Sequence, residues 1–175
     1  LDSIRRGRLR ARAAVMITDN PSAFALVRAR RAKVPTVLIS PRSYASREAF
    51  DRALARVIEN SGARWVVLAG FMRILSPWFV GKFRGRILNI HPSLLPAFPG
   101  ARAVRDALKA RVKTTGVTVH FVDEQVDHGP VVLQAAVPVR KGDTEKTLLA
   151  RIHRAEHKLY PQAIQLVLNG KVKKK

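Results

Sequence analysis

The chain has 175 residues, 47% of them apolar, which is enough for one domain with a sizeable core and argues against disorder. It has no cysteine, which excludes disulfides, thiolate zinc sites and a cysteine nucleophile and fits a reducing, cytoplasmic setting. Its 33 Lys and Arg outweigh 12 Asp and Glu to give a net charge of +21, yet few aromatics accompany the basic residues and no nucleic-acid-binding signature is evident, so a basic solvated surface is the expectation.

Taken in chain order, residues 1 to about 7 read as the remains of a helix, and no Gly-rich loop occurs before residue 12. Residues 13–18 are predicted as a strand ending at Asp19-Asn20-Pro21, residues 22–32 as a helix and residues 36–40 as a second strand. Ser46 can cap a helix running to about Asn60, with Glu48 in its first turn and Phe50, Leu54, Val57 and Ile58 on its apolar side. Residues 65–70 read as a buried strand, a short helix follows near 77–83, and the apolar run 87–90 is a further strand. Another helix covers roughly 101–109. Two strands, 117–122 and 131–139, are joined only by the short loop 123–130, so they should pair antiparallel. Asp143 is expected to cap a final helix with Leu148, Ile152, Ala155 and Leu159 on one face, and Pro161 should kink or break it. Strands alternating with helices predict a single α/β domain, 1–175, with a mostly parallel sheet. No apolar run reaches the roughly 20 residues of a membrane helix, and no signal peptide is visible.

The chemistry centres on Asn89-Ile90-His91-Pro92-Ser93-Leu94-Leu95-Pro96. Asn89 and His91 stand two apart at the end of the run Arg86-Ile87-Leu88-Asn89-Ile90, so a strand puts both side chains on one face. An amide that donates hydrogen bonds and an imidazole that titrates near neutrality could together hold and protonate an oxyanion at a carbonyl carbon. Pro92 and Pro96 end the strand and stiffen the loop after it, which places the pair at the C-terminal edge of a sheet, where open α/β folds bind ligands. An acidic role for the imidazole calls for a carboxylate nearby. Asp123, Glu124 and Asp127 all lie in one loop, and spacing leaves the choice between them open. His153 and His157 have i, i+4 spacing, but their Glu stands beside the second His, unlike a zinc-protease helix, and two exposed helix histidines are expected; no metal is predicted.

Three segments carry a wider resemblance: Ala69-Gly70-Phe71-Met72-Arg73-Ile74-Leu75-Ser76, the run from Leu88 through the Asn–His pair to Pro96, and Val126-Asp127-His128-Gly129-Pro130. With Tyr44-Ala45-Ser46-Arg47-Glu48 and Glu156-His157-Lys158-Leu159-Tyr160-Pro161 they resemble the phosphoribosylglycinamide (glycinamide ribonucleotide) formyltransferases, folate-dependent enzymes of purine synthesis, from residue 1 to about 170. The resemblance implies a Rossmann-like formyltransferase fold, with 10-formyltetrahydrofolate as co-substrate and glycinamide ribonucleotide as acceptor. It implies His91 as proton donor, Asn89 as the group that stabilises the oxyanion and contacts the formyl group, and Asp127 as the carboxylate that favours protonated His91. Met72, Arg73, Ile74 and Leu75 are similar to the family's pterin-pocket wall, largely through backbone groups. Arg47 is similar to a folate contact near the glutamate end, and Glu156 to the acid that holds the ribose hydroxyls.

The family's usual opening strand and Gly-Ser-Asn turn, which binds the ribonucleotide phosphate at a helix N-terminus, has no counterpart here, because Leu1-Asp2-Ser3-Ile4 is similar to the helix after that turn. Weak binding of the ribonucleotide phosphate is therefore expected. Two alternative readings use the same features: a formyl-folate hydrolase, in which water replaces the amine, and a basic nucleic-acid-binding protein built on an enzyme relic. Its supports are the runs Arg5-Arg6-Gly7-Arg8-Leu9-Arg10-Ala11-Arg12 and Lys171-Val172-Lys173-Lys174-Lys175. Nucleic acid and membrane are not expected partners, and a homodimer is left open.

Overall fold

In the computed structural model, which describes residues 1–172, two compact units are distinguished. The last three lysines of the basic tail lie outside the described residues. The first unit comprises Leu1–Val66 and Leu75–Phe83. It opens with a one-turn helix α1 (Asp2–Arg5), tied to α2 (Phe24–Arg31) by the ion pair of Asp2 with Arg28 at 2.7 Å. The strands β1 (Met16–Thr18) and β2 (Thr36–Leu38) flank α2 in sequence and pair in parallel, which a crossover through a helix permits. Both are shorter than the sequence predicts. The helix α3 (Arg47–Asn60) starts where expected: Ser46 Oγ accepts the Ala49 N–H at 3.1 Å. Phe50, Leu54 and Ile58 of its apolar side are buried, and Val57 only partly so. Asp51, on the same helix, is also buried, and its carboxylate accepts the Ser76 N–H at 2.6 Å, which fixes the start of α4 (Pro77–Lys82) against α3.

The second unit comprises Val67–Ile74 and the chain from Arg84 onward. Its sheet has the order β3 (Val66–Leu68), β4 (Ile87–His91), β5 (Thr114–Phe121), β6 (Val131–Pro138). The β5–β6 hairpin is antiparallel, as its short connection demands, and β4 also runs antiparallel to β5. The expectation of a buried strand at 65–70 is corrected. Among the described residues β3 ends its sheet, with no strand paired on its other flank, and Val67 is 43% exposed.

Helix α5 (Ala103–Lys109) and the long α6 (Glu145–Leu168) complete this unit. Val117 and Val119 of β5 and Val137 of β6 pack against Leu148, Ile152, Leu159 and Ala163 of α6. Each fully buried aliphatic side chain there contributes roughly 1.5–3 kcal/mol. Two expectations for α6 are corrected. Its cap is Thr144, whose hydroxyl accepts the Thr147 N–H in a reciprocal capping box, while Asp143 pairs with Arg151 and accepts the Arg140 N–H. The helix also runs through Pro161 unbroken. Leu159 and Ala163 on either side of the proline are buried on the sheet, and the Tyr160 hydroxyl donates to Leu68 O at 2.7 Å, with Leu88 O a second acceptor at 3.1 Å. These anchors outweigh the one backbone hydrogen bond that proline removes.

The register decides what the other face carries. With Val119 opposite Ile90 and Leu133, and these residues toward α6, alternation turns the intervening positions away. Asn89 stands opposite His120, and His91 opposite Thr118, which in turn faces Gln134. One sheet face thus bears a polar row across three strands.

Candidate active site

Asn89 and His91 share that face at the C-terminal end of β4. His91 is 4% exposed, and both its ring nitrogens face acceptors: Nδ1 is 3.3 Å from Asp127 Oδ2, and Nε2 is 2.8 Å from the Phe98 carbonyl. A carbonyl only accepts, so the Nε2 contact is a donated N–H. The loop that follows β4, with a cis Leu95–Pro96 bond, supplies both anchors of the dyad: Phe98 O for the imidazole and Gly100 N–H, 2.7 Å from Asp127 Oδ2, for the carboxylate. Phe98 and Asp127 both adopt the left-handed region at φ 54°. Asp tolerates that conformation, whereas for Phe it is strained.

The structure separates the three candidate carboxylates. Asp123 accepts from His128 Nδ1 at 2.9 Å and from the Gln125 N–H, and Glu124 lies 3.4 Å from Arg84. Only Asp127 reaches His91. The chain returns from it through Gly129, where a Cβ would collide with the Phe121 carbonyl. Asp127 is held below the ordinary carboxylate range. The principal cause is the hydrogen bond His120 gives it when Nε2 carries a proton; the Gly100 N–H and the positive charge of protonated His91 add to it, and burial opposes them.

His120 was not singled out by sequence. It is 2% exposed, and its Nδ1 meets the Phe121 carbonyl at 2.8 Å, which requires Nδ1–H. In neutral His120 the Nε2 lone pair then takes one N–H of the Asn89 amide at 3.2 Å. That contact is closer than the 3.6 Å between His120 Nε2 and Asp127 Oδ1. It aims Asn89 Nδ2 and leaves its second N–H free to donate. The signal was an imidazole inside the apolar strand 117–122, but its partner lies on another strand, 31 residues away.

The remaining predicted residues are distributed as follows. Met72, Arg73 and Ile74 lie in the second unit just after β3 and are exposed, Met72 at 71%. Leu75 and Arg47 belong to the first unit: Leu75 is buried, and Arg47 is the exposed first residue of α3. Glu156 projects from α6 in the second unit, its side chain 19% exposed, 3.9 Å from His153. Burial pushes its carboxyl up, against the pull of protonated His153, His157 and His91. His153 and His157 are exposed on the helix.

An imidazole–carboxylate pair beside an amide donor, at the end of a strand in an α/β fold, is an arrangement able to support nucleophilic addition at a carbonyl carbon. Residues 1–164 match the formyl transferase family, and the chain belongs to that family. It is 43% identical over 173 residues to phosphoribosylglycinamide formyltransferase of Escherichia coli, covering 99% of this chain and 82% of that protein. It is 48% identical over 172 residues to the trifunctional purine biosynthetic protein adenosine-3 of Homo sapiens, covering 98% of this chain but 17% of the relative. The chain thus spans about a sixth of the human trifunctional relative and about four fifths of the bacterial one. Among solved structures, glycinamide ribonucleotide transformylase 1 from Symbiobacterium toebii aligns with a TM-score of 0.97 at 50% identity, over 99% of this chain and 82% of that one.

Proposed function

We propose that this protein transfers a formyl group from 10-formyltetrahydrofolate to the amine of glycinamide ribonucleotide, a step of purine synthesis, without a metal. The observation that carries the reading is the Asn89, His91 and Asp127 constellation on one strand end and its facing loop, in a chain that belongs to the formyl transferase family.

In this reading the amine nitrogen attacks the formyl carbon, a C–N bond forms and the carbonyl electron pair moves onto oxygen. The free N–H of Asn89 and the N–H of His91 donate to that oxygen, and one such donor is typically worth about 3–4 kcal/mol in the transition state. Collapse of the intermediate breaks the bond to the folate nitrogen. The proton the attacking amine gives up is returned, through His91 and its partner Asp127, to that leaving nitrogen. His91 must release the Phe98 carbonyl to do this. Met72, Arg73, Ile74, Leu75 and Arg47 take the folate, and Glu156 accepts from the ribose hydroxyls. Cytoplasmic location and a single formyltransferase domain belong to the same reading.

The test is consumption of a 10-formyl folate analogue, followed by absorbance, with and without glycinamide ribonucleotide. Turnover that depends on the ribonucleotide is the expected result. Consumption that ignores it would replace the transferase by a hydrolase.

A further inference from the structure

The polar row on the sheet continues past the catalytic strand, to residues that the proposed chemistry leaves unused. Thr118 is wholly buried, and its hydroxyl is saturated. It donates to Ser93 O at 2.7 Å and accepts the Leu95 N–H at 3.0 Å and a Gln134 amide N–H at 2.8 Å. No other arrangement of its proton is open, because Ser93 O can only accept and the two N–H groups can only donate. Gln134 Nε2 also donates to Leu95 O at 2.9 Å, so the amide holds both the loop and the hydroxyl. Beside them Leu94 fills the space above Gly116, where a Cβ would strike both Leu94 and the Ala135 carbonyl. Within the loop, Ser93 Oγ donates to Ala97 O at 2.5 Å, and the Ala97 N–H closes a turn onto Leu94 O. The β5–β6 hairpin therefore grips residues 93–97 at both polar groups of Leu95, at Ser93 and at Leu94. The next residues, Phe98 and Gly100, make the contacts that hold His91 and Asp127.

We propose that Thr118 and Gln134 are positioning residues for the acid: by clamping the 93–97 loop onto the hairpin they set where the Gly100 N–H holds Asp127, and through it His91, and where the Phe98 carbonyl holds the His91 N–H before substrate takes it. Neither hydrogen-bonds to the dyad through its side chain, although Thr118 stands opposite His91 in the strand pair. A loop displaced by about 1 Å would misalign the dyad, at a cost on the order of a hundredfold in rate. The inference rests on the formyl-transfer reading for its kinetic consequence, and on the hydrogen-bond network for its structural one.

The experiment compares wild type, Gln134→Leu and Thr118→Ser by steady-state kinetics, and by NMR exchange of the His91 ring N–H with water. Gln134 lies toward solvent on β6, so removing its amide leaves the core intact; Gln134→Ala replaces Gln134→Leu if the leucine variant fails to fold. Expected for the Gln134 variant are a kcat lower by about tenfold to a hundredfold, KM values within about threefold, and faster exchange of the His91 N–H. Thr118→Ser keeps the hydroxyl and should stay within about threefold of wild type. A folded Gln134 variant with wild-type kcat and exchange overturns the proposal, and so does a raised KM at unchanged kcat. Wild type without formyl transfer would defeat the functional reading, and the exchange rates would still decide whether Gln134 holds the acid.

Discussion

Asp127 and His91 show how much a single carboxylate can set. Asp127→Asn keeps the side-chain shape and its acceptor for Gly100 N–H but removes the charge beside His91 Nδ1. An opposite charge within about 4–6 Å favours a protonated imidazole. Loss of that charge should therefore lower kcat by about tenfold to a hundredfold in steady-state kinetics at neutral pH. The same carboxylate also links stability to pH. Because the folded carboxyl is held below its ordinary value of 3.8, its stabilisation is present above that value and is lost as pH falls through the depressed one. His91→Ala should reduce transfer by roughly 10²–10⁴-fold, measured as kcat. Folate affinity in a direct binding titration should stay within a few-fold, since His91 is buried and in the proposed reading acts on the formyl group alone. At this scale sequence reached Asn89 and His91 through period-two spacing. It left Asp123, Glu124 and Asp127 unresolved by spacing, because the backbone turn that separates them includes a positive φ at Asp127. It missed His120, whose role exists only across a strand pair.

Among the elements, helices were read more accurately than strands. The helix α3 began at its predicted cap because Ser46 is a local signal, acting on an N–H three residues away. The start of α6 was misplaced by one residue because two side chains compete for it: Thr144 caps the helix, while Asp143 is taken by Arg151, whose guanidinium holds that carboxyl far below its usual range. Thr144→Ala should accordingly destabilise the protein by about 0.5–2 kcal/mol, read as a lowered midpoint in urea unfolding at unchanged m-value. A far smaller change would mean that Thr147 and Asp143 hold the turn without Thr144. Pro161 misled for the same reason in reverse. Its local effect is to break a helix, but the buried neighbours Leu159 and Ala163 and the Tyr160 anchor act over longer range. The exposure of β3 also escaped a local reading, since burial of an apolar run depends on which strands lie beside it.

For the whole molecule the dominant number is the charge of +21. With 33 cationic side chains against 12 acidic ones, most basic groups have no acidic counterpart, and their mutual repulsion outweighs the attraction within ion pairs. Added salt should therefore raise the melting temperature between about 10 and 150 mM, as the screening length falls from roughly 30 to 8 Å. A fall over that range would show that the ion pairs, such as Asp2 with Arg28 and Glu59 with Lys82, govern the response instead. Length, apolar content and the alternation of strand and helix patterns were enough for the α/β class, because hydrophobic periodicity is a property of neighbouring residues. The Asn–His pair was equally legible, being two residues apart on one strand. Spacing left open which carboxylate meets His91, resemblance pointed to Asp127, and only the tertiary structure displayed that contact, the aim His120 gives the Asn89 amide, and the grip of Thr118 and Gln134 on the loop behind the site. Each of those contacts joins residues 16 to 39 positions apart, and strand register, which sequence spacing does not encode, brings them together.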